Sequence, residues 1–471
     1  MVTPEASPFA KTGGLAEVLG ALPRALAALG EEVAVVLPRY SSATIYDAER
    51  IWHSLPISVG PNQYIAAIDQ VFVPADTRNE RGVRYLFVDY PPLYGRSGIY
   101  GERGSDYPDN HLRFGLLNLA ALAIARHIFR PDVFHGHDWP AGLLGPYLRE
   151  TLKADPTFFD TKVVLTIHNV GYQGNFSPAI AGDLGLDPRL LHPEGAEFWG
   201  QLSFLKSGIV WSDAITTVSP AYAQEIQTPE YGYGLEGLLQ RRSDRVSGIL
   251  NGADYEEWNP SIDPYIAANF SPHDTSGKWL VKKALLEEFD LPADPARPII
   301  GIVSRFVYQK GFDLLDPIAA ELAAEDFTLI ALGSGEEAVE QIFRDLARRY
   351  PNHFAVEIGY DHALSHRIIA GSDMFLMPSR YEPCGLGQIY ALRYGTVPVV
   401  RATGGLIDTV DESTGFKFRD LTPSNLLAAI RAALAAWKDQ DSWRTRMLAG
   451  MAKDFSWDAS ALEYQKLYRS L

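Results

Sequence analysis

Short β-rich runs alternate with longer helical patterns from one end of this 471-residue chain to the other. That alternation is the sequence form of parallel sheets wrapped by helices, because parallel strands need long crossovers and the crossovers here have helical length. In the first half, strands are expected at Val33 to Pro38, Arg84 to Val88, Val133 to His135, Val163 to Ile167 and Ala214 to Val218. Helices are expected at Leu15 to Leu29, Leu112 to His127 and Phe204 to Trp211. After the polar stretch Gln240 to Arg245 a second series follows: Ile299 to Val303, Thr328 to Leu332, Ala355 to Ile358, Met374 to Met377 and Val397 to Val400. Each series reads as one doubly wound α/β unit. The segment Asn259 to Gly277 carries Pro260, Pro264 and Pro272 without periodicity and reads as a loop. A last helix is expected over about Ala459 to Leu471, after Phe455-Ser456-Trp457.

The length exceeds one ordinary core and fits two domains of roughly 50–250 residues each. Residues 1–245 read as the N-terminal domain and 246–456 as the C-terminal one. A net charge of −16 argues against non-specific nucleic-acid or acidic-membrane binding, so any phosphate pocket must be locally basic. The single cysteine, Cys384, excludes an intrachain disulfide framework and points to the cytoplasm. The most apolar stretch, Phe114 to Ala125, is far short of the ~20 residues that span a bilayer. No leader pattern opens the chain, and only Met1, Val2 and Thr3 precede Pro4. Almost no strand is therefore expected before the first Gly-rich loop, and a truncated start is one reading of it.

That loop contains a tetrad, Thr-Gly-Gly-Leu, that occurs twice: in KTGGLAEV (Lys11 to Val18) and in TGGLIDTV (Thr403 to Val410). Paired glycines let backbone approach a ligand, and the N–H groups at a helix start favour an anion. Gly13 and Gly14, and Thr403, Gly404 and Gly405, are thus candidate phosphate contacts.

In open α/β sheets ligands bind beyond the carboxyl ends of strands, and many polar residues fall there. His135, His137 and Asp138 close one strand but complete no recognisable metal set; Asp138 is expected to point into the site. His168 in TIHN closes the next. Arg305 and Lys310 in SRFVYQKG can clamp a diphosphate and neutralise charge on a departing phosphate. In YEPCGLG, Glu382 can accept hydrogen bonds from sugar hydroxyls, Gly385 and Gly387 can offer N–H groups, and Tyr360 can stack on a base. Each also has a plainer reading. His168 can be a packed or capping histidine, the two cations solvated charge, Glu382 a helix-start acid, and Tyr360 the cover of a strand end.

Taken in order, KTGGLAEV, HGHDWPAGLL, TIHNVGYQG, ILNGADYEEWNP, SRFVYQKGFDLL and SRYEPCGLGQIYALRYGTVPVVRATGGLIDTV resemble the bacterial glycogen synthase and starch synthase family, from Met1 to nearly Leu471. The resemblance implies the GT-B architecture: two Rossmann-like domains facing a deep cleft, with a helix over about 457–471 crossing back to the N-terminal domain. It implies transfer of glucose from ADP-glucose to the non-reducing end of an α-1,4-glucan such as glycogen, with retained configuration, no cofactor and no required metal.

By that resemblance, Lys11 reaches the donor's distal phosphate, and Gly13 and Gly14 let the loop approach it. Arg305 and Lys310 are the diphosphate clamp, and Glu382 holds sugar hydroxyls. Cys384, Gly385 and Leu386 share that donor loop, and Tyr360 stacks on adenine. Asp138, His168, Asn251 and Tyr100 border the glucose. The chain departs from the family pattern at Glu17, where aspartate is usual, and at Gly387, where threonine or asparagine is commoner. Tyr390 stands where many related transferases have a second glutamate. Other readings are a UDP-glucose-dependent transferase, a glycoside hydrolase with a carboxylate pair, and a non-catalytic glucan-binding protein.

Overall fold

A computed structural model describes residues 1–43, 45–75, 81–102, 104–292, 294 and 296–471. The chain divides into two compact units: Met1–Val218, Ala223–Gly252 and Trp457–Leu471 form the first, and Ser219–Tyr222 and Ala253–Ser456 the second.

In the first unit, among the described residues, the principal strands are β1 (Val33–Pro38), β2 (Glu49–Val59), β3 (Asn62–Pro74), β4 (Gly82–Asp89), β5 (Val133–His137), β6 (Lys162–Ile167), β7 (Ala214–Thr217) and β8 (Val246–Gly248). β1 pairs parallel with β4, and β5, β6, β7 and β8 pair in parallel succession. Val2 joins the two sets through parallel bridges to Val36 and Gly136. Its N–H donates to His135 O at 2.9 Å, and the Thr3 N–H donates to Val36 O at 3.1 Å. The almost absent first strand is thus a one-residue bridge in the middle of the sheet. Chain order reverses there, with β1 on one side and β5 on the other, and Thr3 to Gly14 leads away from this switch point.

Both faces of this sheet are covered, and side-chain alternation along the strands sorts the two cores. Ala34 and Val36 of β1, with Leu86 and Val88 of β4, face a cluster containing Phe114, Leu117 and Ala121 of helix α2 (Asn110–His127). Val33, Val35 and Leu37, with Val83, Tyr85 and Phe87, face helix α1 (Gly14–Ala28) and the C-terminal helix Trp457–Ser470. Gln465 of that helix donates to Glu31, and the Ser460 hydroxyl donates to Leu250 O.

α1 contains Pro23, which has no N–H to give the Leu19 carbonyl four residues back. The buried Tyr85 hydroxyl donates to that carbonyl instead, at 3.0 Å. The helix that begins at the first Gly-rich loop therefore stays continuous across its proline.

The second unit is a parallel sheet of β9 (Ile299–Val303), β10 (Thr328–Gly333), β11 (Phe354–Ile358), β12 (Met374–Met377), β13 (Val397–Arg401) and β14 (Phe416–Phe418). Its order is β11-β10-β9-β12-β13-β14. Ile300, Ile302, Leu329 and Ala331 enter one core, and Ile299, Ile330 and Leu332 the other. Order reverses between β9 and β12, which places a switch point at their carboxyl ends. Two short helices matter below: α3 (His362–Gly371) and α4 (Gly387–Arg393).

Two sequence expectations are corrected, and one set of strand pairings was missed. The division between units lies after Gly252 rather than after residue 245, because Val246–Gly248 pairs with β7 and extends the first sheet. Ser219–Tyr222 belongs to the second unit, where Ser219 donates to Pro383 O at 2.6 Å and the Ala221 N–H to Asp408 at 2.8 Å. The antiparallel pairs β2–β3 and β3–β4 were not anticipated, although Leu55, Ile57 and Val59 of β2 are buried and alternate with exposed Ser54, Pro56 and Ser58. No helix among the described residues is long and apolar enough to cross a membrane.

Tyr85→Phe should leave the buried Leu19 carbonyl without its donor and lower stability by about 1–2 kcal/mol. Urea unfolding followed by circular dichroism measures this. An unchanged midpoint would show that the bridge to α1 carries no weight.

Candidate active site

The Lys11–Gly14 loop follows the Val2 bridge, and its conformation is set by a residue that sequence reasoning missed. The Glu5 carboxylate, 3% exposed, accepts from the Thr12 N–H at 2.5 Å, the Thr12 hydroxyl at 2.7 Å, the Gly13 N–H at 3.3 Å and the Tyr100 hydroxyl at 2.6 Å. The turn does bind an anion, but that anion is the protein's own carboxylate. The Thr12 and Gly13 N–H groups are therefore committed, which corrects the expectation for Gly13, while the Gly14 N–H has no acceptor among the described residues. The only signal in the sequence was an acidic residue shortly before the glycines. A Cβ added at Gly13 or Gly14 would meet nothing within 4 Å, so open space lies beside both. Lys11 pairs with Glu17 at 2.8 Å. Both side chains are more than a third exposed, and such a pair is worth on the order of 0–1 kcal/mol, so the Glu17 contact itself holds Lys11 only weakly.

Tyr100 is positioned from behind. The wholly buried Arg113 on α2 donates to Leu93 O, Ile99 O and Asn110 Oδ1, and Asn110 donates to Tyr100 O at 2.8 Å.

Asp138 and His168 follow β5 and β6 at the same carboxyl edge. Asp138 Oδ1 accepts from the His168 N–H at 2.7 Å, and Asp138 itself has φ 55° and ψ −173°. That region is close to glycine-only, and holding an aspartate there costs on the order of 1–3 kcal/mol. His137 Nδ1 lies 3.1 Å from His168 Nε2, while both nitrogens of His135 are taken by Tyr468 and Thr166. His135 is thus engaged within the fold through both ring nitrogens, while His137 keeps a buried Nε2 without a hydrogen-bond partner among the described residues. Asn251, 7% exposed, keeps a buried Oδ1 without a hydrogen-bond partner among the described residues.

Burial raises the Asp138 carboxyl to about 7, despite the opposing His168 N–H. Burial lowers His168 to about 3 and both His135 and His137 well below the ordinary histidine value. The site holds neutral imidazoles beside a carboxyl that titrates near neutrality.

In the second unit the chemistry gathers at the switch point. Arg305 and Lys310 follow β9, and Ser379 to Gly387 follow the adjacent β12. Lys310 Nζ lies 2.6 Å from Glu382 Oε2, which also accepts from the Ser379 hydroxyl at 2.9 Å. Both members are largely buried, at 14% and 7% side-chain exposure. Gln309 donates to Tyr381 O, and the Arg380 N–H donates to Gln309 O. Arg380 lies over the Tyr308 ring and pairs with Asp313, so the two segments are bonded along their length. Arg305 is exposed and pairs with no carboxylate among the described residues, and Tyr360, two residues beyond β11, is 80% exposed.

The second tetrad does a different job from the first. Gly404 has φ 46°, and a Cβ at Gly405 would stand 2.2 Å from Cys384 O. The Gly405 N–H donates to Glu382 O at 3.0 Å. That amide therefore clamps the donor loop instead of binding phosphate, a second correction to the glycine-turn reading. The N–H groups of Gly385 and Leu386 remain without an acceptor among the described residues, with Gly385 at φ 71° and Gln388 bonded back to Cys384 O and Gly385 O. The open amides are in the Cys384–Leu386 loop. Gly387 leaves room for Phe375, which an added Cβ would meet at 2.9 Å, and Tyr390 stacks on Trp258 at 4.0 Å.

Cations, open amides and a buried carboxylate at the end of a parallel sheet are the equipment of a nucleotide-sugar transferase, and comparison with known proteins agrees. Residues 1–241 match the starch synthase catalytic domain, and residues 286–447 match glycosyl transferases group 1. The chain is 47% identical to the glycogen synthase of Koribacter versatilis, over 98% of this chain and 96% of that one. This chain belongs to the glycogen synthase and starch synthase family. It is a glycosyltransferase with two domains of the GT-B type. Its relatives include the Myxococcus xanthus glycogen synthase, 46% identical over 100% and 98% of the two chains. Among solved structures, the catalytic domain of starch synthase IV from Arabidopsis thaliana, bound to ADP and acarbose, superposes with a TM-score of 0.88 at 32% identity, covering 100% of this chain and 98% of that one. Sucrose-phosphate synthase from Thermosynechococcus elongatus shares the fold, with a TM-score of 0.62 at 19% identity, covering 100% of this chain and 97% of that one.

The two shifted groups give opposite dependences of stability on pH. Unfolded His168 protonates near 6.5 while the folded form stays neutral to about 3, so its contribution is lost as pH falls through that window, by at most ~1.4 kcal/mol per pH unit. Folded Asp138 keeps its proton up to about 7 while the unfolded residue loses it near ~3.9, so its contribution is lost as pH rises. His168→Gln should therefore gain stability relative to the parent between about pH 6.5 and 4, and Asp138→Asn should lose it over the same range. Denaturant midpoints at stepped pH measure both; parallel pH profiles for parent and variants would contradict the assignment.

Proposed function

We propose that this chain transfers glucose from ADP-glucose to the non-reducing end of an α-1,4-glucan, retaining the anomeric configuration and needing no metal. The observation that carries this is the Lys310–Glu382 pair at the β9–β12 switch point, with exposed Arg305 and the open Gly385 and Leu386 amides on the same segments. The bond that breaks joins the glucose C1 to a diphosphate oxygen. The one that forms joins C1 to the acceptor's 4-hydroxyl oxygen, whose proton passes to the departing phosphate on the same face. Charge therefore accumulates on the diphosphate, where Arg305, Lys310 and the open amides supply compensation that a metal would otherwise give.

Glu382 divides its work between two oxygens. Oε2 holds Lys310 and Ser379, while Oε1 has no partner among the described residues and can accept donor-sugar hydroxyls. Tyr360 offers an exposed ring for the adenine, and Lys11 a cation for the distal phosphate. Asp138, His168 and Asn251 orient the glucosyl group, with Asp138 in its ionised form favouring oxocarbenium character at C1. The ADP in the Arabidopsis relative is what an ADP-sugar leaves behind, which supports adenine in the donor here.

Lys310→Ala and Glu382→Gln should each lower kcat by at least about 10²–10³-fold while leaving the circular dichroism spectrum unchanged, in an assay of radiolabelled glucose incorporated into glycogen. Near-parental turnover in either variant would remove that residue from the mechanism. The same assay should favour ADP-glucose over UDP-glucose and proceed undiminished in EDTA. Preference for UDP-glucose would overturn the donor, and EDTA inhibition reversed by a divalent ion would overturn the metal-free step.

A further inference from the structure

His362 and His366 stand one turn apart on α3, so both rings project from one face of the helix. Glu257, from the loop after Gly252, meets them: its Oε1 lies 3.0 Å from His362 Nε2. One ligand-capable atom from each of the three residues lies within 4.8 Å of the other two. All three belong to the second unit, and none has a part in the chemistry proposed above.

His366 decides what this cluster is built for. Its side chain is fully buried, and its Nδ1 lies 2.8 Å from Asp263 Oδ2. Asp263 is itself buried and already takes the Tyr394 hydroxyl on Oδ2 and the Tyr265 N–H on Oδ1, so it acts as acceptor and places the imidazole proton on Nδ1. The lone pair then sits on Nε2, which is buried and has no hydrogen-bond partner among the described residues. A buried acceptor left bare is costly and calls for an occupant. The ring is also held in plane: Trp258 stacks on it at 3.8 Å and 11°, and Tyr390 stacks on the other face of Trp258.

A carboxylate that fixes the tautomer of a histidine whose far nitrogen is bare is the outer-shell arrangement of metal-ligating histidines. We propose that Glu257, His362 and His366 bind a divalent zinc-class ion, with water completing a tetrahedral set and Asp263 positioning His366. Two imidazoles and one carboxylate favour zinc over magnesium or calcium, which prefer all-oxygen sites. Metal–ligand bonds of about 2.0–2.1 Å require ligand atoms about 3.4 Å apart, so the set must contract slightly. Glu257 and His362, 47% and 36% exposed, have the freedom to do so, while His366 is the fixed point. The ion would fasten the 257–265 loop to α3 and, through Trp258 and Tyr390, brace α4, which follows the donor loop.

The test is zinc titration of the chelator-stripped full chain by calorimetry, with metal content by mass spectrometry and the visible spectrum of the cobalt-substituted protein. One zinc per chain, a cobalt spectrum of low coordination number, and a raised melting temperature are expected. His362→Gln and Glu257→Gln, both at accessible positions that should fold normally, are expected to weaken binding at least about tenfold, as is Asp263→Asn through loss of orientation. Failure of the stripped chain to take up zinc at micromolar concentration would overturn the site. So would uptake unchanged in His362→Gln and Glu257→Gln, which would place the metal elsewhere.

Discussion

The ion pair between Lys310 and Glu382 is the contact on which the second unit's site is assembled. It joins the segments that leave two adjacent parallel strands in a sheet whose order reverses between them. Removing two charges from water at that depth is costly, and a well-packed apolar pair there would serve stability as well or better. The pair makes sense as site architecture: it fixes a cation and an acceptor where a departing diphosphate and a sugar ring need opposite partners. Its surroundings support this, since Ser379 holds the shared carboxylate oxygen and the Gly405 amide holds the Glu382 carbonyl.

The first unit solves a related problem with an internal anion. Glu5 occupies the Thr12 and Gly13 amides and ties them to Tyr100, so the loop has its shape before any ligand arrives. What the turn still presents includes the exposed Lys11 and the open space beside two glycines. The two Thr-Gly-Gly-Leu tetrads, alike in sequence, have thus diverged in physical role. One is locked by a carboxylate and presents a lysine, and the other spends its amide on a neighbouring loop.

Much of this was legible beforehand because buried parallel strands write themselves as apolar runs and because binding residues fall just after those runs. Arg305, Lys310, Glu382, Asp138 and His168 all sit where that rule puts them. Glu5 was not legible, since a lone acid before a glycine turn has many ordinary uses and only the folded loop shows which amides it meets. The β2–β3 hairpin escaped although Leu55, Ile57 and Val59 alternate with exposed residues, because the first half of β2 has no fully buried residue to extend that period, and β8 because three residues carry no period. The histidines of α3 escaped because their third ligand and their positioning aspartate come from a loop far away in sequence.

The α/β class, the two units and the edge of each sheet where chemistry would gather could be read from periodicity and residue types at strand ends, and the family from the order of the motifs. Tertiary structure alone decided which amides remain open, which carboxylate meets which cation, where the first unit ends, and that His366 keeps a bare nitrogen. Those are matters of distance and satisfied hydrogen bonds between segments remote in the chain, and no local pattern encodes them.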